Sequence, residues 1–298
     1  MATVREPTTA STPLRPRRNL LRALGALFVT TATAPFPVRS RSSDPPLVFG
    51  VVPYLSARKL AQLYEPIRAW FAATLAQPVT LESAPDYRAH FARTAGGEYD
   101  FIATSPYFGR IAQQRHGMVG LARPSTPLEP LLIVLPQSPI RTLSDLKGRK
   151  IATSDPWANL TFAARRLFRE QGWVIGRDLY LEPTGSHANS FAHLQQGLAD
   201  AAVVSVTAIT QLNLAADRYR ILYRFPPSPP LLYLAHRRLG ESRLAQLRRA
   251  LLAWSAQEGQ AVFARLGHGT LQPITDADWD ALDPFVADFD QLVAGGHA

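Results

Sequence analysis

An α/β fold with mainly parallel sheets is what this sequence predicts, on three observations. Short apolar runs alternate with longer segments whose apolar positions recur at helical spacing, an order that lays strands side by side with helices on both faces. The chain has 298 residues, 46% hydrophobic and 18% charged, and a chain of that length buries roughly three quarters of its unfolded surface. It contains no cysteine, so the fold must hold by packing alone, and disulfide frameworks, thiol nucleophiles, cysteine-ligated metals and lipidated cysteines are excluded.

Taken in order, residues 1–46 predict a signal peptide and linker. Arg17-Arg18 precede Leu20-Leu21-Arg22, an apolar run from Ala23 to Val29 and the small residues Thr30 to Ala34. A charged start, a short apolar centre and small residues make an export signal, and the arginine pair resembles the twin-arginine type. The run is too short to span a bilayer, which takes about 20 residues. Cleavage fits after Ala32 or after Ala34, although Pro35 would follow the second cut.

The body then alternates. Leu47–Val52 reads as a buried strand ended by Pro53, and Ser56 caps a helix carrying Leu60, Leu63, Ile67, Trp70 and Leu75. Residues 78–82 form a strand, and Asp86 opens a helix that Gly96-Gly97 closes. Phe101–Thr104 is a strand, with Ser105 as cap and Pro106 as first-turn proline of the next helix. Strands follow at 118–122 and 131–135, a helical turn at 143–148 and a strand at 150–153. A helix at 158–171 ends at Gly172; a strand at 179–182, a helix at 187–197, a strand at 201–204 and a helix at 206–216 come next. Strands at 219–223 and 231–235 flank the Pro226–Pro230 cluster, and helices at 241–265 and 276–294 complete the chain.

Charge and motifs narrow the function. Residues 1–43 hold seven arginines and one acid, so the leader carries +6 of the formal +9 and the body is nearly balanced. A basic footprint for nucleic acid is therefore not expected on the folded part. No Gly-x-Gly-x-x-Gly, Walker loop, Gly-x-Ser-x-Gly elbow or His-Glu-x-x-His occurs. His187 and His193 are six apart, roughly 240° around a helix, which rules out a metal pair. No catalytic residue, metal or cofactor is expected.

Four ordered segments carry a resemblance. They are Phe49–Pro53; Asp86-Tyr87 with Gly97–Tyr107; Leu143–Ala152 with Asp155-Pro156; and Gly185-Ser186-His187 with Gly197–Ala202. Together they resemble the phosphate/phosphite/phosphonate (PhnD-type) family of periplasmic solute-binding proteins. The resemblance implies a two-lobed, type II periplasmic-binding fold with a ligand cleft between the lobes and two crossovers, near 130–136 and 230–235. Lobe 1 is then expected at 47–133 plus 235–298, and lobe 2 at 134–234. It also implies a monomer without enzymatic activity that captures a small anionic or polar solute. Delivery would be to an ABC permease, or presentation to a membrane sensor kinase. An enzyme on the same scaffold is the competing class.

Ligands of open α/β sheets sit beyond the carboxyl ends of strands, where helix N-termini favour anions. That places Tyr54, Ser105, Tyr107, Ser205 and Thr207 at the cleft, together with the 153–159 turn. From the resemblance, Tyr87, Trp157, Asn159, Thr161 and His187 join them as ligand-binding candidates. Asp155 reads as an organiser of its turn. Where the family usually carries Ser-[Ser/Thr]-Ser-Gly after Asp-Pro-x, this chain has Ala158-Asn159-Leu160-Thr161. Two anion-gripping hydroxyls are gone, so simple alkylphosphonates are expected to bind weakly.

Overall fold

The computed structural model describes residues 45–294. In chain order these form β1 (Leu47–Val51), α1 (Ala57–Leu75), β2 (Val79–Ser83), α2 (Tyr87–Ala95), β3 (Phe101–Thr104), α3 (Pro106–Arg115), β4 (Met118–Pro124) and β5 (Pro130–Val134). After a 3-10 turn at Leu143–Leu146 come β6 (Lys150–Thr153), α4 (Asn159–Glu170), β7 (Tyr180–Pro183), α5 (His187–Gln195), β8 (Ala201–Ser205), α6 (Val206–Gln211) and β9 (Arg220–Arg224). The remainder is β10 (Leu232–His236), α7 (Glu241–Ala256), α8 (Gln260–Arg265), β11 (Leu271–Gln272), α9 (Asp276–Asp280) and α10 (Asp283–Ala294).

Two sheets organise these elements, ordered β11-β4-β10-β3-β1-β2 and β7-β6-β8-β5-β9. Each has a parallel trio, β2-β1-β3 in one and β7-β6-β8 in the other. Each then takes an antiparallel strand, β10 between β3 and β4 and β5 between β8 and β9, and the first sheet adds β11 antiparallel to β4 at its edge. The sheets are thus mixed rather than mainly parallel. The cause is the chain's passage between lobes, which makes β5 and β10 enter their sheets in the reverse direction.

The expected lobe limits at 133/134 and 234/235 fall inside β5 and β10. Both strands are central in their sheets, and residues 130–134 and 232–235 are buried. The crossings lie just before them, in proline-rich stretches around 125–129 and 225–231 that cannot donate a regular ladder. There Leu128 and Ser228 exchange backbone hydrogen bonds of 3.0 and 2.9 Å, so the two crossovers pair with each other.

The helices differ from expectation chiefly at their ends. The helix expected at 206–216 stops at Gln211, and Asn213 turns to φ 51°. The one expected at 241–265 breaks at 257–259, where Gly259 packs so closely on Trp254 that a Cβ would lie 2.7 Å from its ring. The one expected at 276–294 divides into α9 and α10, and β11 lies unforeseen before them.

Lobe 1 centres on Phe49, Phe71 and Phe101, with Phe71 and Phe101 stacked at 4.3 Å. Lobe 2 centres on Leu132, Ile151, Phe168 and Val203. A third apolar cluster joins the lobes: Tyr107 and Phe108 of α3, Trp157 and Phe162 at the start of α4, and Val286 and Phe289 of α10.

Candidate functional site

The carboxyl ends of β1, β3, β6 and β8 all face the gap between the lobes, as strand-to-helix turns in such sheets do. They enclose a cavity of ≈ 80 Å³. Val52 and Tyr54 follow β1, Ser105 and Pro106 follow β3, Ala158, Asn159 and Leu160 open α4, and Ser205 and Thr207 open α6. Tyr87 and His187 come from the first turns of α2 and α5.

Seven of the ten candidate residues therefore share one wall. Ser105 is the N-cap of α3, yet its side chain makes no capping bond, which leaves the hydroxyl to the cavity. Ser205 does cap, accepting from the Ala208 amide at 3.0 Å, and keeps its hydroxyl proton to donate. Asn159 donates Nδ2 to Ser228 Oγ at 2.9 Å, while its Oδ1 is buried without a partner. His187 is buried, its Nδ1 is likewise unpartnered, and its backbone amide donates across the lobes to the Tyr54 carbonyl at 3.3 Å. Tyr54 Oη sits between Tyr64 Oη and Gln211 Nε2, 3.3 Å from each.

The other three candidates do not line the cavity. Tyr107 is fully buried and donates its hydroxyl to the Trp157 carbonyl. Trp157 packs edge-on against Phe289 at 5.0 Å and under the Arg88 guanidinium at 5.1 Å. Thr161 donates to the Asp155 carbonyl at 2.6 Å. The Asp155 side chain accepts from the Trp157 amide at 2.8 Å, so Asp155 and Thr161 hold the 155–161 turn that presents Ala158, Asn159 and Leu160.

The cavity also has contributors without a recognisable motif. Pro124 at the end of β4, Thr126, Pro127 and Leu128 from the first crossover, Pro230 and Leu231 from the second, and Gly267-His268 after α8 complete the wall. Proline clustering was the available signal for the crossovers; nothing in the sequence around His268 singles it out. Gly267 has φ +70°, and a Cβ there would lie 3.0 Å from Thr207 Cγ2 on the opposing lobe. A glycine at this position lets the lobes meet.

Among the described residues no Lys, Arg, Asp or Glu lines the cavity. Burial holds His187 at about 4 and His268 at about 3, so both imidazoles are neutral near pH 7. Burial, with a smaller contribution from the Asp155 charge, pushes the Tyr87 hydroxyl up, which keeps it protonated. The wall thus offers hydroxyls, an amide, neutral imidazoles and helix N-termini. It can bind by hydrogen bonds and dipoles; it holds no ionised acid–base pair. Among the described residues no group of three or more His, Cys, Asp or Glu could hold a metal ion, and no helix is long and apolar enough to cross a membrane.

Comparison with known proteins agrees with this fold. A family model described as "ABC transporter, phosphonate, periplasmic substrate-binding protein" matches residues 49–279. PhnD1 from Prochlorococcus marinus in complex with methylphosphonate is similar in structure, with TM-score 0.70 and 14% identity over 82% of this chain and 98% of that one. A binding protein component of an ABC phosphonate transporter from Pseudomonas aeruginosa gives 0.69 and 16% over 86% and 100%. The periplasmic aliphatic sulphonate binding protein SsuA from Escherichia coli gives 0.60 and 18% over 83% and 93%. These likenesses are of fold, the two-lobed type II periplasmic-binding architecture. No curated protein matches the chain.

Proposed function

This chain belongs to the family of periplasmic substrate-binding proteins of phosphonate-type ABC transporters, and from that premise we propose that the cleft between its lobes captures a small anionic or polar solute for delivery to an ABC permease. The family consists of transport binding proteins that act in the periplasm. The observation that carries the ligand-binding reading is the convergence of Tyr54, Tyr87, Ser105, Asn159, His187, Ser205 and Thr207 on one cavity at the strand ends. The paired crossovers at Leu128 and Ser228 supply a hinge for opening and closing.

On the family's role as transport binding proteins, we read the protein as a monomer that releases its solute unchanged. It reaches the periplasm through the twin-arginine leader, which lies outside the described residues. Replacing Arg17 and Arg18 by lysine should retain a reporter fused to residues 1–46 in the cytoplasm; export unchanged by the replacement would exclude that route.

The binding reading is tested by thermal melting over phosphonates, sulfonates, other small oxyanions and aromatic acids. A solute at 100 times its dissociation constant adds about 2.7 kcal/mol, a rise of several degrees for a domain of this size. Conversion of a bound solute to product would instead favour an enzyme.

A further inference from the structure

Two helices of the cavity wall begin without a side-chain cap. Ser105 of α3 and Ala158 of α4 make no capping bond, and α3 and α4 run ten and twelve residues. Each uncapped start presents first-turn amides and about half a positive charge. Between them they balance about one negative charge; α2, α5 and α6 also open on the wall, but their first turns are already capped by the Asp86, Ser186 and Ser205 side chains, and among the described residues no lysine or arginine lines the wall.

Two buried side chains on the same wall each keep one polar atom without a partner. Asn159 is 5% exposed and His187 4% exposed. The Asn159 carboxamide has one arm on Ser228 and the other free. Because the Ser228 hydroxyl can donate or accept, that carboxamide can turn either its oxygen or its N–H to the cavity. His187 Nδ1 is free in the same way. Buried polar atoms are ordinarily paired, so these two mark where a ligand's polar atoms complete the site. Apolar side chains share the wall with the polar groups: Val52, Pro106, Leu128, Leu160, Pro230 and Leu231.

We propose that the cleft is built for a singly charged small anion with a short uncharged substituent, its charge held between the starts of α3 and α4, and that it discriminates against doubly charged anions and zwitterions. The inference rests on the cleft being the ligand site. A second negative charge would be buried without a cation, at a cost the half-charges of two helices do not offset. An ammonium group on the ligand would find no carboxylate: Asp155 lies off the wall, its side chain taken by the Trp157 amide.

The same protein can be offered one ligand in two charge states. The titratable groups on the wall are Tyr54, Tyr87, His187 and His268, with Asp155 beside Tyr87 and Asp86 and Arg88 beside Asp155. His187 and His268 titrate only near 4 and 3. Calorimetry of the full chain would compare methylphosphonate at about pH 5.5, where it carries mainly one charge, and at about pH 8.5, where it carries two. Methanesulfonate, singly charged at both, reports any change in the protein itself.

Relative to methanesulfonate, methylphosphonate should bind at least about tenfold more tightly at the lower pH. Ethanesulfonate should exceed 2-aminoethanesulfonate by a similar factor. Methylphosphonate bound equally or more tightly at the higher pH, or the amino compound bound as well as ethanesulfonate, would overturn the inference and leave the cleft as a binding site. Absence of binding by every compound to folded protein at both pH values would overturn the cleft reading and this inference with it.

Discussion

At Ala158 a single methyl group stands at the N-cap of α4 and on the cavity wall. Ala158→Ser places a hydroxyl where the family resemblance implies one. A hydrogen bond to a charged ligand is worth about 1.5–3 kcal/mol, so methylphosphonate affinity should rise roughly tenfold or more by calorimetry; an unchanged affinity would mean that this turn does not grip the anion. Leu160→Ser is a poorer probe, because Leu160 also packs in the lobe 2 core, and truncating a buried leucine costs about 2–5 kcal/mol. Residues at strand ends, such as Tyr54 and Ser205, were legible in the sequence because a strand followed by a capping residue fixes where the side chain goes. Tyr107 and Trp157 were not. Both sit beside cavity residues in the chain, but local order does not say which side of a turn a ring takes, and these rings turned into the aromatic cluster. His268 was out of reach because it arrives from a segment more than 100 residues away from the α4 turn.

Among the elements, α10 is the one whose role the sequence concealed. It reads as an ordinary terminal helix, yet it bridges the lobes. Arg110 and Arg115 of α3 pair with Asp283 and Asp290 at 2.7 and 2.6 Å, and Arg166 of α4 pairs with Asp288 at 2.8 Å. Exposed pairs of this kind contribute little each; the apolar contacts contribute more. Phe289 is 3% exposed and meets Trp157 at 5.0 Å and Tyr107 and Phe91 at 5.4 Å. Phe289→Ala should lower stability by about 3–5 kcal/mol, read from the shift of the urea midpoint; a loss below about 1 kcal/mol would show that α10 only covers the cluster. The strands were the most legible elements, since short buried apolar runs bounded by Gly, Pro or Ser leave little choice. Helix ends at 211 and 257–259 were not, because they depend on a left-handed asparagine and on the fit of Gly259 against a tryptophan.

Across the whole molecule, the two sheets repeat one plan: a parallel trio, then the strand that has just crossed between lobes. Alternation of strands and helices in the sequence was enough for an α/β fold. The ordered motifs added the two lobes. The direction of β5 and β10 depends on how the chain passes between lobes, which no local pattern encodes, and so the crossings were placed a few residues late. These two lobes are proposed to close on a small solute at the strand ends. Hydrogen exchange followed by mass spectrometry tests that closure most directly, with and without a saturating solute that raises the melting temperature. Slower exchange is predicted at 104–108, 158–162 and 205–208 and in the crossovers at 125–129 and 225–231, with the outer edges at β2 and β7 unchanged. Protection confined to any other surface, or none at saturation, would contradict the account.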